Sequence, residues 1–406
     1  MNIHFIGIGG CGMNGVAQLA AHAGQTVSGS DRAIGLEIFQ TLEKQGITIV
    51  PQDGSGITKE TDFVVYSTAI ENDNPDIVRA HELGIPLLHR AEMLAKLCEG
   101  NQIIAVAGTA GKSTVTGLLG HIFQTLKKDP TVYCGADINN FESSVRFGKS
   151  DLWIIEADES DKSLLSFHPE HAIITNIAED HFSLDELHRL FTQFESQVSG
   201  VVVKTPELFN CSTTLPGKHN VENINNALTL CKALGLDMPK CIEAISTFKG
   251  IERRLERIGD KVIDDFAHSP IKIAAALKAV SGEFKMFNAV WRPHGFTPLF
   301  QGLEGFIEVF SNHWKTHSGN LFILPVYYAG GTVEKKITSE QFVEKLCAAG
   351  VPAKYVKNLY PVENKKGGGS ASLEKLLLTE ALPVLVMGAR DPELPKFARR
   401  LASKLC

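Results

Sequence analysis

The segment Gly108-Thr-Ala-Gly-Lys-Ser113 has the residue types of a polyphosphate-binding loop. It follows an apolar run that predicts a buried strand, and it precedes a predicted helix. Backbone N–H groups at such a helix start bind phosphate oxygens, the Lys112 ammonium can neutralise β- and γ-phosphates, and the Ser113 hydroxyl can ligate Mg²⁺. The common form of this loop has a glycine where Val106 stands, so this loop is a shorter variant. The residues expected to hold a nucleotide are Gly108, Thr109, Gly111, Lys112, Ser113 and Thr114.

A second glycine-rich turn, Gly7-x-Gly9-x-x-Gly12, follows the first predicted strand. In such a turn the first glycine permits a tight bend, the second lets the backbone approach a diphosphate, and the third lets the next helix pack closely. Asp31 ends the second predicted strand, where a carboxylate that binds a ribose would stand. Taken alone, the pattern is typical of an NAD-dependent dehydrogenase. The turn binds the diphosphate rather than the nicotinamide, so a UDP-sugar would fit it equally.

Four acidic residues follow a predicted buried strand at 152–155. They are Glu156, Asp158, Glu159 and Asp161. Ligands bind at the carboxyl ends of parallel strands, and Mg²⁺ prefers a few carboxylates together with water and phosphate oxygens. We therefore expect one of these acids to lie beside Lys112 and to complete a site for ATP and Mg²⁺. The strand predicted at 171–175 leads in the same way to Asp180 and His181, which makes His181 a candidate metal ligand.

Further polar residues stand at predicted element ends in the second half of the chain. Asp265 and His268 follow one predicted strand, and Arg292 and His294 follow the next. We expect these side chains to line the pocket of a further ligand, because strand ends of one parallel sheet share an edge.

Asn220 and Asn223 open a predicted helix. Asn220 could cap this helix, or both side chains could offer amides to an adenine. Their spacing leaves both interpretations open.

Short apolar strands alternate with amphipathic helices along the chain, and one of the helices is predicted at 300–310. This alternation predicts an α/β fold with mostly parallel sheets. At 406 residues the chain is too long for one ordinary core. The polar segment 249–256 has the composition of a linker. We therefore expect three domains, at residues 1–100, 101–250 and 251–406.

The composition excludes several classes of protein. A net charge of −6 argues against nucleic-acid binding. The eight cysteines are scattered without a Cys-x-x-Cys pair, which indicates reduced thiols in a cytoplasmic protein. Neither a signal peptide nor an apolar run long enough to span a membrane is found, so no membrane insertion is expected.

These motifs resemble those of the Mur ligase family, in order along nearly the whole chain. In the first domain the shared motifs are the glycine turn, Ser67-Thr-Ala-Ile with Asn74-Pro75, and Arg90-Ala-Glu-Met-Leu. In the second they are the phosphate loop, Glu156-Ala-Asp-Glu-Ser-Asp161, Thr175-Asn-Ile-x-x-Asp-His181 and His219-Asn-x-x-Asn223. In the third they are Arg253-Arg254, Asp264-Asp-Phe-x-His268 and Pro293-His294, where the resemblance is looser.

The resemblance implies a Rossmann-like UDP-binding domain, a central P-loop ATPase domain and a Rossmann-like C-terminal domain. It implies an ATP-dependent, ADP-forming amide ligase of peptidoglycan precursor synthesis. The partners would be UDP-N-acetylmuramate and an amino acid, most often L-alanine, and an acyl phosphate would be the intermediate. A monomer or weak homodimer is expected.

The resemblance also implies roles for individual residues. Those implied in catalysis are Lys112, Glu156, His181, Arg254 and His268. Those implied in Mg²⁺ binding are Ser113, Glu156 and His181. Beyond the phosphate loop, those implied in ATP binding are Asn220, Asn223, Arg254 and Asp265. Those implied in substrate binding are Gly9, Gly10, Gly12, Met13, Ser30, Asp31, Ser67, Thr68, Arg90, Arg292 and His294.

Some positions depart from the family's alanine-adding members. These members usually have a histidine where Ala110 stands and arginines where Gly295 and Pro298 stand. Such arginines would bind an amino-acid carboxylate in a bidentate manner, and Arg292 and Arg390 are possible replacements. A ligase for a different amino acid or for a recycled peptide therefore stays an alternative. A non-catalytic UDP-sugar binder and a dinucleotide oxidoreductase are the other two.

Overall fold

Three sheets of mostly parallel strands, with helices between the strands, organise the chain and confirm the α/β prediction. The computed structural model describes residues 1–33, 35–178, 182–328, 335–361 and 372–405. By its internal contacts the chain divides into two compact units. The first unit comprises 1–214 and 219–251, and the second comprises 215–218 and 252–406. The first unit contains two of the three sheets, and its division into two domains stays a prediction.

The first sheet and its helices occupy the beginning of the chain. Their elements are β1 (Asn2–Ile6), α1 (Cys11–His22), β2 (Thr26–Asp31), α2 (Glu37–Lys44), β3 (Thr48–Pro51), β4 (Phe63–Tyr66), α3 (Pro75–Leu83), β5 (Leu87–His89) and α4 (Arg90–Cys98). The strand order is β3-β2-β1-β4-β5, and every pair is parallel. Because β1 is central, the turn that follows it lies in the middle of the carboxyl edge of the sheet, where ligands bind.

The second sheet completes the first unit. Its strands, with the helices and one 3-10 helix (Ser163–Ser166), are β6 (Gln102–Ala107), α5 (Lys112–Thr125), β7 (Thr131–Ile138), β8 (Ser143–Arg146), β9 (Leu152–Glu156), β10 (His171–Ile174), α6 (Leu184–Ser196), β11 (Val202–Val203), α7 (Lys218–Ala233) and α8 (Met238–Ser246). The order is β11-β10-β6-β9-β7-β8, and only the pair β7-β8 is antiparallel. Strand β6 therefore has β9 and β10 as neighbours, so residues after all three strands meet at one edge.

The third sheet lies in the second unit. Its elements are β12 (Glu256–Ile258), β13 (Val262–Asp265), α9 (Pro270–Ser281), β14 (Asn288–Trp291), α10 (Phe296–Gln301), α11 (Leu303–Trp314), β15 (Leu321–Ile323), α12 (Ser339–Ala348), β16 (Ala353–Tyr355), α13 (Leu373–Glu380), β17 (Val384–Met387) and α14 (Glu393–Ala402). The order is β12-β13-β17-β14-β15-β16, and β12 alone is antiparallel to its neighbour. Strand β17 thus lies between β13 and β14.

Several elements differ from the sequence prediction, two of them for a reason that the structure shows. The single helix expected at 300–310 is two helices, α10 and α11, which meet at Gly302. A Cβ at this glycine would lie 2.6 Å from the Phe306 ring, so the ring packs directly on the glycine backbone. The hairpin β7-β8 was not predicted, because the exposed Gly135 and Asp137 interrupt the apolar pattern of β7.

The described residues contain no helix with the length and apolar character needed to cross a membrane. The seven cysteines among them are free thiols.

Candidate active site

The phosphate loop joins the end of β6 to the start of α5, as predicted. Gly108 and Gly111 have φ angles of +123° and +87°, which side chains other than glycine rarely adopt. A Cβ at Gly108 would collide with Thr175, and one at Gly111 would collide with Asn223. Both glycines are therefore required by backbone conformation and by space.

Residues that follow β10 hold this loop in shape. The Thr175 hydroxyl lies 2.6 Å from the Ala110 carbonyl oxygen, to which it donates. The Asn176 Oδ1 atom accepts hydrogen bonds from the Ala110 N–H at 2.9 Å and from the Thr109 hydroxyl at 2.8 Å. These contacts were not predicted from the sequence. The parallel register that pairs Ile174 with Ala107 accounts for them.

Lys112 is the first residue of α5, and its side chain is mostly buried. Its Nζ atom donates to Glu159 Oε2 at 2.6 Å and to the Gly108 carbonyl oxygen at 2.8 Å. Burial lowers the pKa of Lys112, but the charges of Glu159, Asp158 and Glu156 outweigh burial and raise it overall. The ammonium is therefore charged. Glu159 is 4% exposed, and burial raises the pKa of its carboxyl group.

Glu156, the last residue of β9, lies beside Ser113, the residue that follows Lys112 in the phosphate loop. The Ser113 hydroxyl donates to Glu156 Oε1 at 3.1 Å, and Oε2 accepts from the Gly135 N–H at 2.7 Å and from the Cys134 thiol at 3.4 Å. Hydroxyl and carboxylate oxygens are the donors that Mg²⁺ prefers, so this pair fits the predicted metal. The third predicted ligand, His181, lies outside the described residues.

Two buried amides lie against the phosphate loop. Asn223 Nδ2 donates to Asn220 Oδ1 at 3.0 Å, and both residues are in the first turns of α7. Because the Asn223 side chain occupies the space beside Gly111, the pair lies near the position expected for a nucleotide. Thr114 is buried in α5.

The glycine turn after β1 is closed by hydrogen bonds to the end of β2. The Gly9 N–H donates to Asp31 Oδ2 at 2.9 Å, and the Gly7 N–H donates to the Ser30 carbonyl oxygen at 2.8 Å. Gly10 caps α1, and Met13 is buried inside this helix. Asp31 thus holds the turn in shape through this hydrogen bond. Its contact with a ribose stays a prediction.

Arg90, at the start of α4, lies against Gly12. A Cβ at Gly12 would collide with the Arg90 guanidinium. Arg90 Nη1 donates to the Tyr133 hydroxyl at 3.0 Å, and that hydroxyl donates to the Gly12 carbonyl oxygen at 3.1 Å. Arg90 Nη2 is also 3.7 Å from Asp161 Oδ2. The glycine turn is therefore linked to residues of the second sheet, through a tyrosine that the sequence analysis missed.

The other predicted substrate residues of the first unit differ in exposure. Ser30 is fully buried, and its hydroxyl donates to Asp76. Ser67 and Thr68 follow β4 at the carboxyl edge of the sheet, where Ser67 is half-buried and Thr68 is exposed.

The second unit contains a pair of histidines at the carboxyl edge of its sheet. The rings of His268 and His294 have centroids 5.0 Å apart. The His268 Nδ1–H donates to the Phe266 carbonyl oxygen at 2.9 Å, which leaves Nε2 as an acceptor when the ring is neutral. Burial lowers the pKa of His268 to about 4. Burial, followed by the charges of Arg390 and Lys272, lowers the pKa of His294.

Asp265 and Arg254 lie close to Phe266 in the same unit. Asp265 accepts N–H groups of Leu255 and Ala267, both at 2.8 Å, and burial raises its pKa. The Arg254 guanidinium lies 5.5 Å from the centre of the Phe266 ring.

Arg292 is held by partners within its own unit. Its Nη1 atom is 2.6 Å from Asp391 Oδ2, and its Nε atom donates to the Pro325 carbonyl oxygen at 3.1 Å. Two of its five N–H donors are therefore in use, one of them in an ion pair with a buried carboxylate.

Comparison with known proteins gives matches over both units. A family model described as "Mur ligase family, catalytic domain" matches residues 2–102, and one described as "Mur ligase middle domain" matches residues 106–190. A UDP-N-acetylmuramate–L-alanine ligase of Sulfurihydrogenibium sp. is 30% identical, over 95% of this chain and 94% of the relative. One of Nitratidesulfovibrio vulgaris is 33% identical, over 76% of this chain and 81% of the relative.

Solved structures give similar results. The UDP-N-acetylmuramate-alanine ligase MurC of Thermotoga maritima superposes with a TM-score of 0.79 and 26% identity, covering 99% of this chain and 98% of that one. A murein peptide ligase of Psychrobacter arcticus has a TM-score of 0.66 at 20% identity, covering 100% of this chain and 98% of that one. The second likeness concerns the fold alone.

Proposed function

The chain belongs to the Mur ligase family, and on that premise we propose that it joins L-alanine to the carboxylate of UDP-N-acetylmuramate with ATP. One observation carries the proposal: a charged Lys112, the Ser113 hydroxyl and the Glu156 carboxylate converge at one sheet edge. This is the equipment for phosphoryl transfer, which needs alignment and charge neutralisation more than acid–base chemistry. The substrate and the amino acid are those in the names of the relatives.

In the first step, the sugar carboxylate attacks the γ-phosphorus of ATP. ADP departs, and the carboxylate becomes an acyl phosphate. Lys112 and the loop N–H groups bind the phosphate oxygens and stabilise the charge that develops there. Ser113 and Glu156 would hold Mg²⁺, together with His181. Bound Mg²⁺ would neutralise charge on the phosphate oxygens. Asn220, Asn223, Arg254 and Asp265 stay predicted contacts of the nucleotide.

In the second step, the amino group of the acceptor attacks the acyl carbon. A tetrahedral intermediate forms, its C–O bond to phosphate breaks, and the leaving phosphate takes up the proton that the nitrogen loses as the amide is made. His268 is neutral at pH 7 because its pKa is about 4, so its Nε2 atom can accept a hydrogen bond from the acceptor's amine. We assign His294 to the same acceptor pocket.

The glycine turn of the first sheet would hold the UDP diphosphate. Gly9, Gly10 and Gly12 provide backbone that can approach phosphate closely. Arg90 adds a cation against Gly12. Met13, Ser30, Asp31, Ser67 and Thr68 stay predicted substrate residues at this edge.

The test is ADP release with UDP-N-acetylmuramate, scanned over amino acids and short peptides. We expect release to depend on L-alanine. If ADP is released only with a different acceptor, that acceptor is the substrate instead of L-alanine. This alternative stays open because Gly295 and Pro298 stand where alanine-adding members have arginines. Tight UDP-sugar binding with no ADP release for any acceptor would contradict the ligase, and NAD turnover would indicate an oxidoreductase.

Lys112→Ala tests the role of the phosphate loop. We expect ADP release to fall by about two to three orders of magnitude, because a cation is lost where phosphate charge develops. UDP-sugar binding, measured by calorimetry, should remain, and Lys128→Ala, at an exposed lysine just after α5, is the matched control. Loss of UDP-sugar binding in Lys112→Ala would contradict the assignment of separate nucleotide and sugar sites.

A further inference from the structure

The acceptor pocket lacks the arginines that its resemblance to alanine-adding ligases predicts. Gly295 and Pro298 stand at those positions. An acceptor amino acid carries a carboxylate, and a guanidinium binds a carboxylate through two parallel hydrogen bonds. A different cation at the same sheet edge must therefore supply this contact if the proposed reaction takes place.

Arg292 is a poor replacement, because it already has an internal partner. It forms an ion pair with Asp391, whose side chain is 3% exposed. Turning Arg292 toward a substrate would leave a buried carboxylate without its cation, which is strongly unfavourable.

Strand register places a different arginine after the strand that lies between those of the two histidines. Asp265, Met387 and Trp291 are aligned across the neighbouring strands β13, β17 and β14. The residues three positions after these are His268, Arg390 and His294. Because β17 is the middle strand, Arg390 follows the strand that lies between those of the two histidines.

The backbone of Arg390 supports a special role. Its φ angle is +65°, in the left-handed region that residues with a side chain seldom occupy. Such strained positions cluster at functional sites. Its side chain is exposed, and no acidic partner lies within ion-pair distance among the residues that the structure describes. The positive charge of Arg390 reaches His294, whose pKa it helps to lower.

We propose that the Arg390 guanidinium binds the α-carboxylate of the acceptor amino acid, beside His268 and His294. The assignment rests on the proposed function and names the residue that recognises its third substrate. Arg390 replaces, from the loop after β17, the arginines that are absent after β14. Binding of the carboxylate there would hold the acceptor next to the two neutral imidazoles.

Arg390→Gly tests the assignment without straining the chain, because glycine adopts a positive φ readily. We expect the KM for L-alanine to rise about 10- to 100-fold, as for the loss of a charge-assisted bidentate contact. The KM values for ATP and UDP-N-acetylmuramate should stay unchanged, and Arg390→Lys should restore part of the affinity. Arg257→Ala, at a surface arginine of the same unit that pairs with Glu283, is the control and should keep the wild-type KM for L-alanine.

L-alanine amide gives a second readout. The amide retains the reacting amine but lacks the charged carboxylate, so the wild type should prefer L-alanine strongly and Arg390→Gly should lose most of this preference. A thermal midpoint no lower than that of the wild type would exclude misfolding as the cause. If the wild type is active and Arg390→Gly keeps both the wild-type KM for L-alanine and the preference for L-alanine over its amide, the assignment of Arg390 is overturned while the proposed function stands. A wild type that releases no ADP with any acceptor would overturn the proposed function together with it.

Discussion

Lys112 has an anionic partner within the protein itself. Its ammonium is bonded to Glu159, which is itself almost fully buried. A phosphate that binds Lys112 must therefore compete with this carboxylate or share the ammonium with it. The ion pair keeps a buried charge neutralised and holds Lys112 against the loop.

Glu159→Gln should destabilise the ligand-free protein by about 1–3 kcal/mol, because it removes the nearest counter-charge from a buried ammonium. Bound ATP with Mg²⁺ should compensate, so the rise in melting temperature on adding ATP should be larger than in the wild type. Differential scanning calorimetry measures both effects. Glu195→Gln, which removes an exposed ion pair with Lys204, should change neither by much. Equal ATP-induced shifts in Glu159→Gln and the wild type would refute this role of the pair.

The half-buried imidazole of His268 should titrate near pH 4, whereas an ordinary histidine titrates near 6.5. Burial disfavours the charged ring, so the folded pKa lies below the unfolded value. The contribution of the neutral His268 ring to the free energy of unfolding is fully present above pH 6.5 and is lost as the pH falls toward 4. NMR of the ring Cε1–H, assigned through His268→Gln, measures the midpoint directly. A midpoint near 6.5 would mean that the ring is solvated and can be charged at the pH of the reaction.

At the scale of elements, the strand ends position the chemistry. Strand β6 lies between β9 and β10, so the phosphate loop receives Glu156 from one neighbour and Thr175 from the other. The sequence pattern predicts these three strands and their polar ends. It does not predict which strands are neighbours, because pairing depends on the crossover connections.

Thr175→Val tests the bracing of the phosphate loop. The substitution preserves shape and removes the hydrogen bond to the Ala110 carbonyl oxygen, so the loop should hold its geometry less well. We expect the KM for ATP to rise about 3- to 10-fold, in line with the worth of a single hydrogen bond. Steady-state kinetics with varied ATP measure this, and Thr192→Val, on α6, is the control. An unchanged KM would show that Asn176 and the glycines suffice.

At the scale of the whole molecule, the chain combines a net negative charge with the proposed sites for two anionic substrates. The cations are local: Lys112 and Arg90 in the first unit, and Arg254 and Arg390 in the second. The first unit has two parallel-dominated sheets and the second has one, and a residue with a positive φ angle follows a strand of each: Gly7, Gly108 and Arg390. This arrangement agrees with a ligase that uses several ligands, each held at a strand end.

The sequence by itself determined the local chemistry of this protein. Its glycines, strand and helix patterns and polar strand ends predicted the α/β class, the phosphate loop and the acids that follow β9, because these signals are contained within short segments. Only the tertiary structure decided which side chains contact each other. Glu159 rather than another acid bonds Lys112, Tyr133 links Arg90 to Gly12, and Arg390 follows the strand between those of the two histidines. The physical reason is that these contacts join residues remote in the chain, through strand order and register that no single segment encodes.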